Sequence, residues 1–201
     1  MNKTKLRFAL FVASICLCVS SWAERVAPTF PEFTTLESGK NYYLYNVGTG
    51  KFLNRSTAHN SLVGVGTYGA AITITQTSNG SYTMRFADGI STSYLYLYAN
   101  ASTIASTSSE GTSCYFAIKD SLSGYVIQRS ADNAYYVANE YVGYADGATN
   151  DRIVPNLTTG NIVWQLMETA EAERYFAKHK LYTALEAMNP YNYNIDQYEA
   201  I

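Results

Sequence analysis

Repetition among short β-type segments restricts this chain's folding options more than any other feature of it. From Asn41 onward the sequence breaks into short runs rich in Tyr, Val, Ile and Thr, separated by Gly, Asn, Ser and Asp. Such runs with such boundaries predict strands joined by turns. Twelve are expected: Asn41–Val47, Gly50–Asn54, Ser61–Gly66, Ala71–Gln76, Tyr82–Asp88, Tyr94–Asn100, Thr103–Ser108, Cys114–Asp120, Tyr125–Ser130, Ala134–Asn139, Tyr141–Asp146 and Asn161–Met167. Gly48-Thr49-Gly50, Asn79-Gly80 and Asp146-Gly147 mark turns between them. The runs recur. Val63-Gly64 returns as Ile104-Ala105 and Val142-Gly143, and Ile72-Thr73-Ile74 returns as Phe116-Ala117-Ile118 and Trp164-Gln165-Leu166. Tyr82 returns as Tyr125, and three segments end in Asn54, Asn100 and Asn139. Most of the offsets are about 40–48 residues, the period of a supersecondary unit.

Three units of four strands follow from that count. The third unit lacks its last strand, but Asn41–Val47 stands spare at the start. Pairing it with the end of the third unit closes the array and removes exposed sheet edges. The expected fold is all-β: a β-trefoil with a pseudo-threefold axis over residues 39–167. Ile72, Phe116 and Trp164 would form one core layer, and Val63, Ile104 and Val142 another. A plain β-sandwich also shows short strands at regular spacing, and the threefold count favours the trefoil.

The two ends read differently. Lys3, Lys5 and Arg7 precede an apolar run from Phe8 to Val19, and Ser21-Trp22-Ala23 supplies small residues for cleavage. That order predicts a signal peptide over residues 1–23, hence a secreted or cell-surface protein. The run is too short for a transmembrane segment, which needs about 20 apolar residues. Residues 24–38, with Pro28 and Pro31, form a lead-in segment. After Met167 the period switches. Phe176, His179, Tyr182, Leu185 and Met188 fall on one helical face, and Asn189-Pro190 ends it. Asn194 could cap a second, short helix lined by Ile195, Tyr198 and Ile201. A helix of about two turns is marginal alone, so residues 168–201 are expected to continue into other domains of a longer protein.

Charge and chemistry exclude several function classes. The 14 basic residues include the three in the leader, and all 16 acids lie downstream, so cleavage would leave a net charge of −5. Within residues 39–167 the balance is even, at seven of each sign. Nucleic acid is therefore not an expected partner, because binding its backbone needs clustered Lys and Arg. Cys16 and Cys18 leave with the leader, so Cys114 has no intrachain partner and reads as a small buried residue. His59 and His179 pair with nothing, and residues 146–151 lack the spacing of a calcium loop. No catalytic residue, metal site or cofactor is expected, and the chain is not expected to be an enzyme. Tyrosine is the better lead: 14 of the chain's 19 lie within residues 39–167. Sugars are held by aromatic faces together with short amides that fork onto hydroxyl pairs. Tyrosine is also simply a good strand residue.

The segment from Asn41 to Asn54, NYYLYNVGTGKFLN, resembles the opening of ricin-B-type β-trefoil lectin domains found in exported proteins of gut Bacteroidetes. The resemblance covers residues 39–167. It implies a non-catalytic carbohydrate-binding module whose partner is a glycan or polysaccharide. Each repeat would offer a polar residue after its first strand, an aromatic after its second, and an Asn-Gln-x-Trp-like segment opening its third. The third repeat matches best: Asn139 is the polar residue, Tyr144 the aromatic platform, and Asn161-Ile162-Val163-Trp164 supplies Asn161 as a second ligand. Ile162 replaces the family's glutamine. In the first repeat Asn54 and Tyr68 could serve, and the second keeps Asn100 without an aromatic after Thr103–Ser108. The alternative implied by these departures is a structural or protein-interaction spacer domain whose sugar sites are lost.

Overall fold

The computed structural model describes residues 27–56, 62–100, 102–132, 135–136, 140–145 and 151–187. Phe30–Phe176 forms one compact unit, and the described residues 27–29 and 177–187 belong to a second. The elements are β1 Lys40–Asn46, β2 Lys51–Arg55, β3 Val63–Gly66, β4 Ile72–Gln76, β5 Tyr82–Phe86, β6 Tyr96–Ala99 and β7 Ile104–Thr107. A 3-10 turn over Thr112–Cys114 leads into β8 Tyr115–Ser121, β9 Gly124–Asp132, β10 Tyr135–Tyr136, β11 Tyr141–Tyr144, β12 Ile153–Leu157 and β13 Val163–Glu168. Helix α1, Thr169–Ala187, follows β13 without a gap.

Six strands close a ring of antiparallel pairs: β1 with β4, β4 with β5, β5 with β8, β8 with β9, β9 with β13, and β13 back to β1. The last pairing, with Tyr42 opposite Glu168 and Asn46 opposite Trp164, is the closure expected from the spare first strand. Three hairpins cap the ring. β2–β3 and β6–β7 are built alike, and β11–β12 is the third. Their tips meet: Leu62 bridges Ala105, and Gly64 bridges Arg152. A closed six-stranded ring with three capping hairpins is the β-trefoil, consistent with the threefold repeat. The third unit departs from the other two. β10 is only two residues long and pairs with β9, while β11 pairs with β12, a strand absent from the sequence expectation. Residues 146–150, including the expected Asp146-Gly147 turn, lie outside the described residues.

The core sits where the repeats converge. Ile72, Phe116 and Trp164 are fully buried, as are Val63, Ile104 and Val142, and all six belong to one cluster. Burying each large apolar side chain of that set stabilises the fold by about 1.5–3 kcal/mol. Trp164 also needs a polar partner, and its Nε1 donates to the Val142 carbonyl at 2.8 Å. This bond ties β13 to the third hairpin. Gly124 makes the neighbouring crossing possible. It has a φ of +148°, and a Cβ there would overlap the Trp164 carbonyl.

A second cluster joins the lead-in and the start of α1 to the outside of the ring. Phe176 meets the rings of Tyr43, Phe52 and Tyr68 edge-on at 5.1, 4.8 and 5.5 Å. Phe30 packs against Tyr45, Phe52 and Tyr175. The lead-in is held by backbone and tyrosine hydroxyls. Thr34 N donates to the Leu166 carbonyl at 2.8 Å, Leu36 N to Tyr125 Oη at 2.9 Å, and Glu37 N to Tyr42 Oη at 2.8 Å. Tyr42 and Tyr125 therefore use the ring for the core and the hydroxyl for a strap. Among the described residues no helix is long and apolar enough to cross a membrane. The expected second helix at Asn194 lies outside the described residues.

Candidate functional site

The third repeat brings Tyr144 and Asn161 together; Asn139 lies outside the described residues. Tyr144 and Asn161 form an antiparallel bridge, with Tyr144 N donating to the Asn161 carbonyl at 3.1 Å. The Asn161 side chain turns inward. Its Nδ2 lies 3.4 Å from the Tyr144 carbonyl, and its Oδ1 occupies the space a Cβ on Gly48 would need. Asn46, fully buried, donates from Nδ2 to the Asn161 carbonyl at 2.9 Å and accepts from Thr49 N at 3.1 Å. Tyr144 is half-buried and packs against the core. Lys51 Nζ lies 5.9 Å from the centre of the Tyr144 ring and pairs with Asp151 at 2.9 Å.

In the first repeat Asn54 and Tyr68 also meet, through an amide and a backbone oxygen. Asn54 Nδ2 donates to the Tyr68 carbonyl at 2.9 Å, and Asn54 Oδ1 accepts from Arg55 N at 2.7 Å. The Tyr68 ring faces the edge of Phe176 within the second aromatic cluster.

The second repeat holds the open cleft, about 570 Å³, between the β6–β7 hairpin and the loop leading to β8. Register explains its walls. In the first hairpin Arg55 faces Val63, Asn54 faces Gly64 and Leu53 faces Val65. In the second, Ala99 faces Ile104, Tyr98 faces Ala105 and Leu97 faces Ser106. Matching the core residues Val63 and Ile104 places Leu97 on Leu53 and Tyr98 on Asn54. The expected equivalence of Asn54 with Asn100 is therefore off by two residues. Asn100 instead accepts from Ser102 N at 2.9 Å and Thr103 N at 2.8 Å, which shapes the hairpin turn.

Strand alternation buries Leu97 and Ala99 and turns Tyr98 outward. Tyr98 and Tyr94 line the cleft, together with the hydroxyl-bearing residues between Ser106, near the end of β7, and Ser113. Among the described lining residues Glu110 is the single carboxylate, and it accepts from Tyr115 Oη at 2.9 Å. That bond keeps the proton on Tyr115 and raises its pKa. Cys114 closes the floor, and burial pushes its thiol pKa up. The sequence reading did not single out Tyr94 and Tyr98 because it sought an aromatic only after β7. The alternating Tyr94-Leu95-Tyr96-Leu97-Tyr98 run was the signal available.

One wall of the cleft rests on a buried ion pair. Arg55 Nε and Nη2 contact Asp88 Oδ2 and Oδ1 at 2.8 and 3.0 Å, and the two side chains are 6 % and 10 % exposed. Arg55 Nη1 donates to the Tyr94 carbonyl at 2.9 Å, and its guanidinium lies 3.9 Å from the centre of the Phe86 ring. Thus β2 of the first repeat fixes the residue that lines the second repeat's cleft. Among the described residues no group of three or more His, Cys, Asp or Glu side chains is placed to hold a metal.

Solved structures similar to this chain share its fold. The lysenin pore matches at 13 % identity and a TM-score of 0.52, over 68 % of this chain and 49 % of that one. The ricin B-like lectin of Macrolepiota procera, solved in complex with lactose, matches at 15 % identity and a TM-score of 0.50, over 67 % and 99 %. A complex of a BBKI mutant with bovine trypsin matches at 12 % identity and a TM-score of 0.55, over 68 % and 94 %. The chain spans about half the length of the lysenin pore chain. No protein-family model matches the sequence, and no curated protein does. The chain shares the β-trefoil fold with these structures.

Proposed function

We propose that this chain is a secreted, non-catalytic carbohydrate-binding module, and that its working site is the second-repeat cleft. The observation that carries this reading is the pairing of Tyr94 and Tyr98 with a hydroxyl-lined loop and one carboxylate in an open cavity of about 570 Å³. Aromatic faces cover the C–H side of a pyranose, and hydroxyl and carboxylate groups bond its rim. The fold shared with a lectin crystallised with lactose supports it. Export rests on the leader over residues 1–23. Attachment to other domains would raise avidity, since a shallow single site gives roughly 0.1–1 mM affinity.

A second reading has its own support. The Asn54, Asn161 and Tyr68 side chains are engaged in holding the fold together. A trefoil whose first and third repeats are so committed could act as a structural spacer or a protein-interaction domain. Glycan binding that is lost on Tyr98→Ala supports the lectin reading. Binding to a protein partner that survives Tyr98→Ala, with a blank glycan response, supports the spacer.

A further inference from the structure

Resting on that reading, we infer that the second-repeat cleft accepts uncharged saccharides and rejects acidic ones. Among the described residues its lining carries Glu110 and no Lys, Arg or His. The Glu110 carboxylate is held in place by the Tyr115 hydroxyl at 2.9 Å. One of its oxygens is therefore oriented, and the group stands ready to accept from a sugar hydroxyl. A uronate, sialate or sulfate in the same place would meet that carboxylate with no counter-charge in the cleft. Like charges at such range repel unless a cation lies between them.

The guanidinium that holds the Tyr94 carbonyl does not supply one. Arg55 stands behind the wall, its fork closed on Asp88 at 2.8 and 3.0 Å and its third nitrogen on the Tyr94 carbonyl. Arg85 lies over the neighbouring Tyr96 ring, 5.8 Å from its centre, and is not part of the lining. The rejection is an electrostatic device set by one exposed side chain, so salt should weaken it.

The test is a glycan array and direct titration on the full chain. It uses neutral glycans beside counterparts that differ by one sialate, uronate or sulfate, at low and at high salt. Hits should be confined to neutral glycans, with the acidic counterparts weaker by about tenfold at low salt and by less at high salt. Glu110→Gln should move the acidic-to-neutral ratio toward one. Acidic counterparts that bind as well as neutral ones would overturn the inference. So would a ratio that neither salt nor Glu110→Gln alters, even if neutral glycans still bind. A blank response to every glycan would instead overturn the carbohydrate reading itself.

Discussion

Replacing Arg55 by Met removes the cation from a buried pair while keeping most of the side-chain volume. Asp88 then loses two charge-assisted bonds, at 2.8 and 3.0 Å, with its side chain only 10 % exposed. It retains one bond, from Ile90 N to Oδ1 at 3.1 Å. Breaking a buried pair from one side costs about 3–5 kcal/mol, because the remaining charge is stranded. The residual Ile90 bond and the partial access of Asp88 to water put the expected loss at the lower end, about 3 kcal/mol. For a unit of this size that lowers Tm by roughly 6–12 °C. Urea unfolding of wild type, Arg55→Met, Asp88→Asn and the double variant completes a cycle that isolates the pair. The pair should show a coupling of about 2 kcal/mol. A single-variant loss below about 1 kcal/mol with no coupling would mean that the pair does not hold this wall together. Because Arg55 also holds the Tyr94 carbonyl, glycan affinity should fall with Arg55→Met even under conditions where the variant is fully folded.

Further outcomes follow from the same contacts. Phe176→Ala opens a void among Tyr43, Phe52 and Tyr68 and should cost about 3–5 kcal/mol in chemical denaturation. Trp164→Phe leaves the Val142 carbonyl without its donor and should cost about 1–3 kcal/mol, measurable as a lower denaturation midpoint at unchanged m-value. Tyr43 has its pKa pushed up to about 12, first by burial and then by Glu173. Its share of stability is therefore complete below pH 10 and is lost as pH rises toward about 12. A spectrophotometric titration should show a late tyrosine component, and Glu173→Gln should move the Tyr43 part of it down. The Cys114 thiol is buried with a raised pKa, so native protein near pH 8 should label with a thiol reagent far more slowly than unfolded protein.

Much of the architecture was legible because apolar residues at repeated positions are dictated by the core. Ile72, Phe116 and Trp164 had to converge, and a spare first strand had to close the ring. β12 was missed for a physical reason. Ile153–Leu157 contains Pro155 and Asn156 and follows a polar stretch, and its pairing with β11 is set by packing against the other hairpins rather than by its own pattern. The site was less legible than the fold. Sequence alignment paired Asn54 with Asn100 by residue type, whereas hairpin register pairs Asn54 with Tyr98. A shift of two residues keeps a side chain on the same face of the strand, so alternation alone gave no warning. Nor did the sequence reveal that the Asn54 and Asn161 amides are taken up by carbonyls of their own repeats.

Backbone amide NMR during titration with a panel of neutral glycans puts the second-repeat cleft to the test. Shifts should gather on Tyr94, Tyr98 and residues 106–114, saturate at millimolar ligand and vanish in Tyr98→Ala. Shifts centred instead on Tyr144 and Asn161, or none anywhere at about 10 mM ligand, would contradict this reading of the cleft.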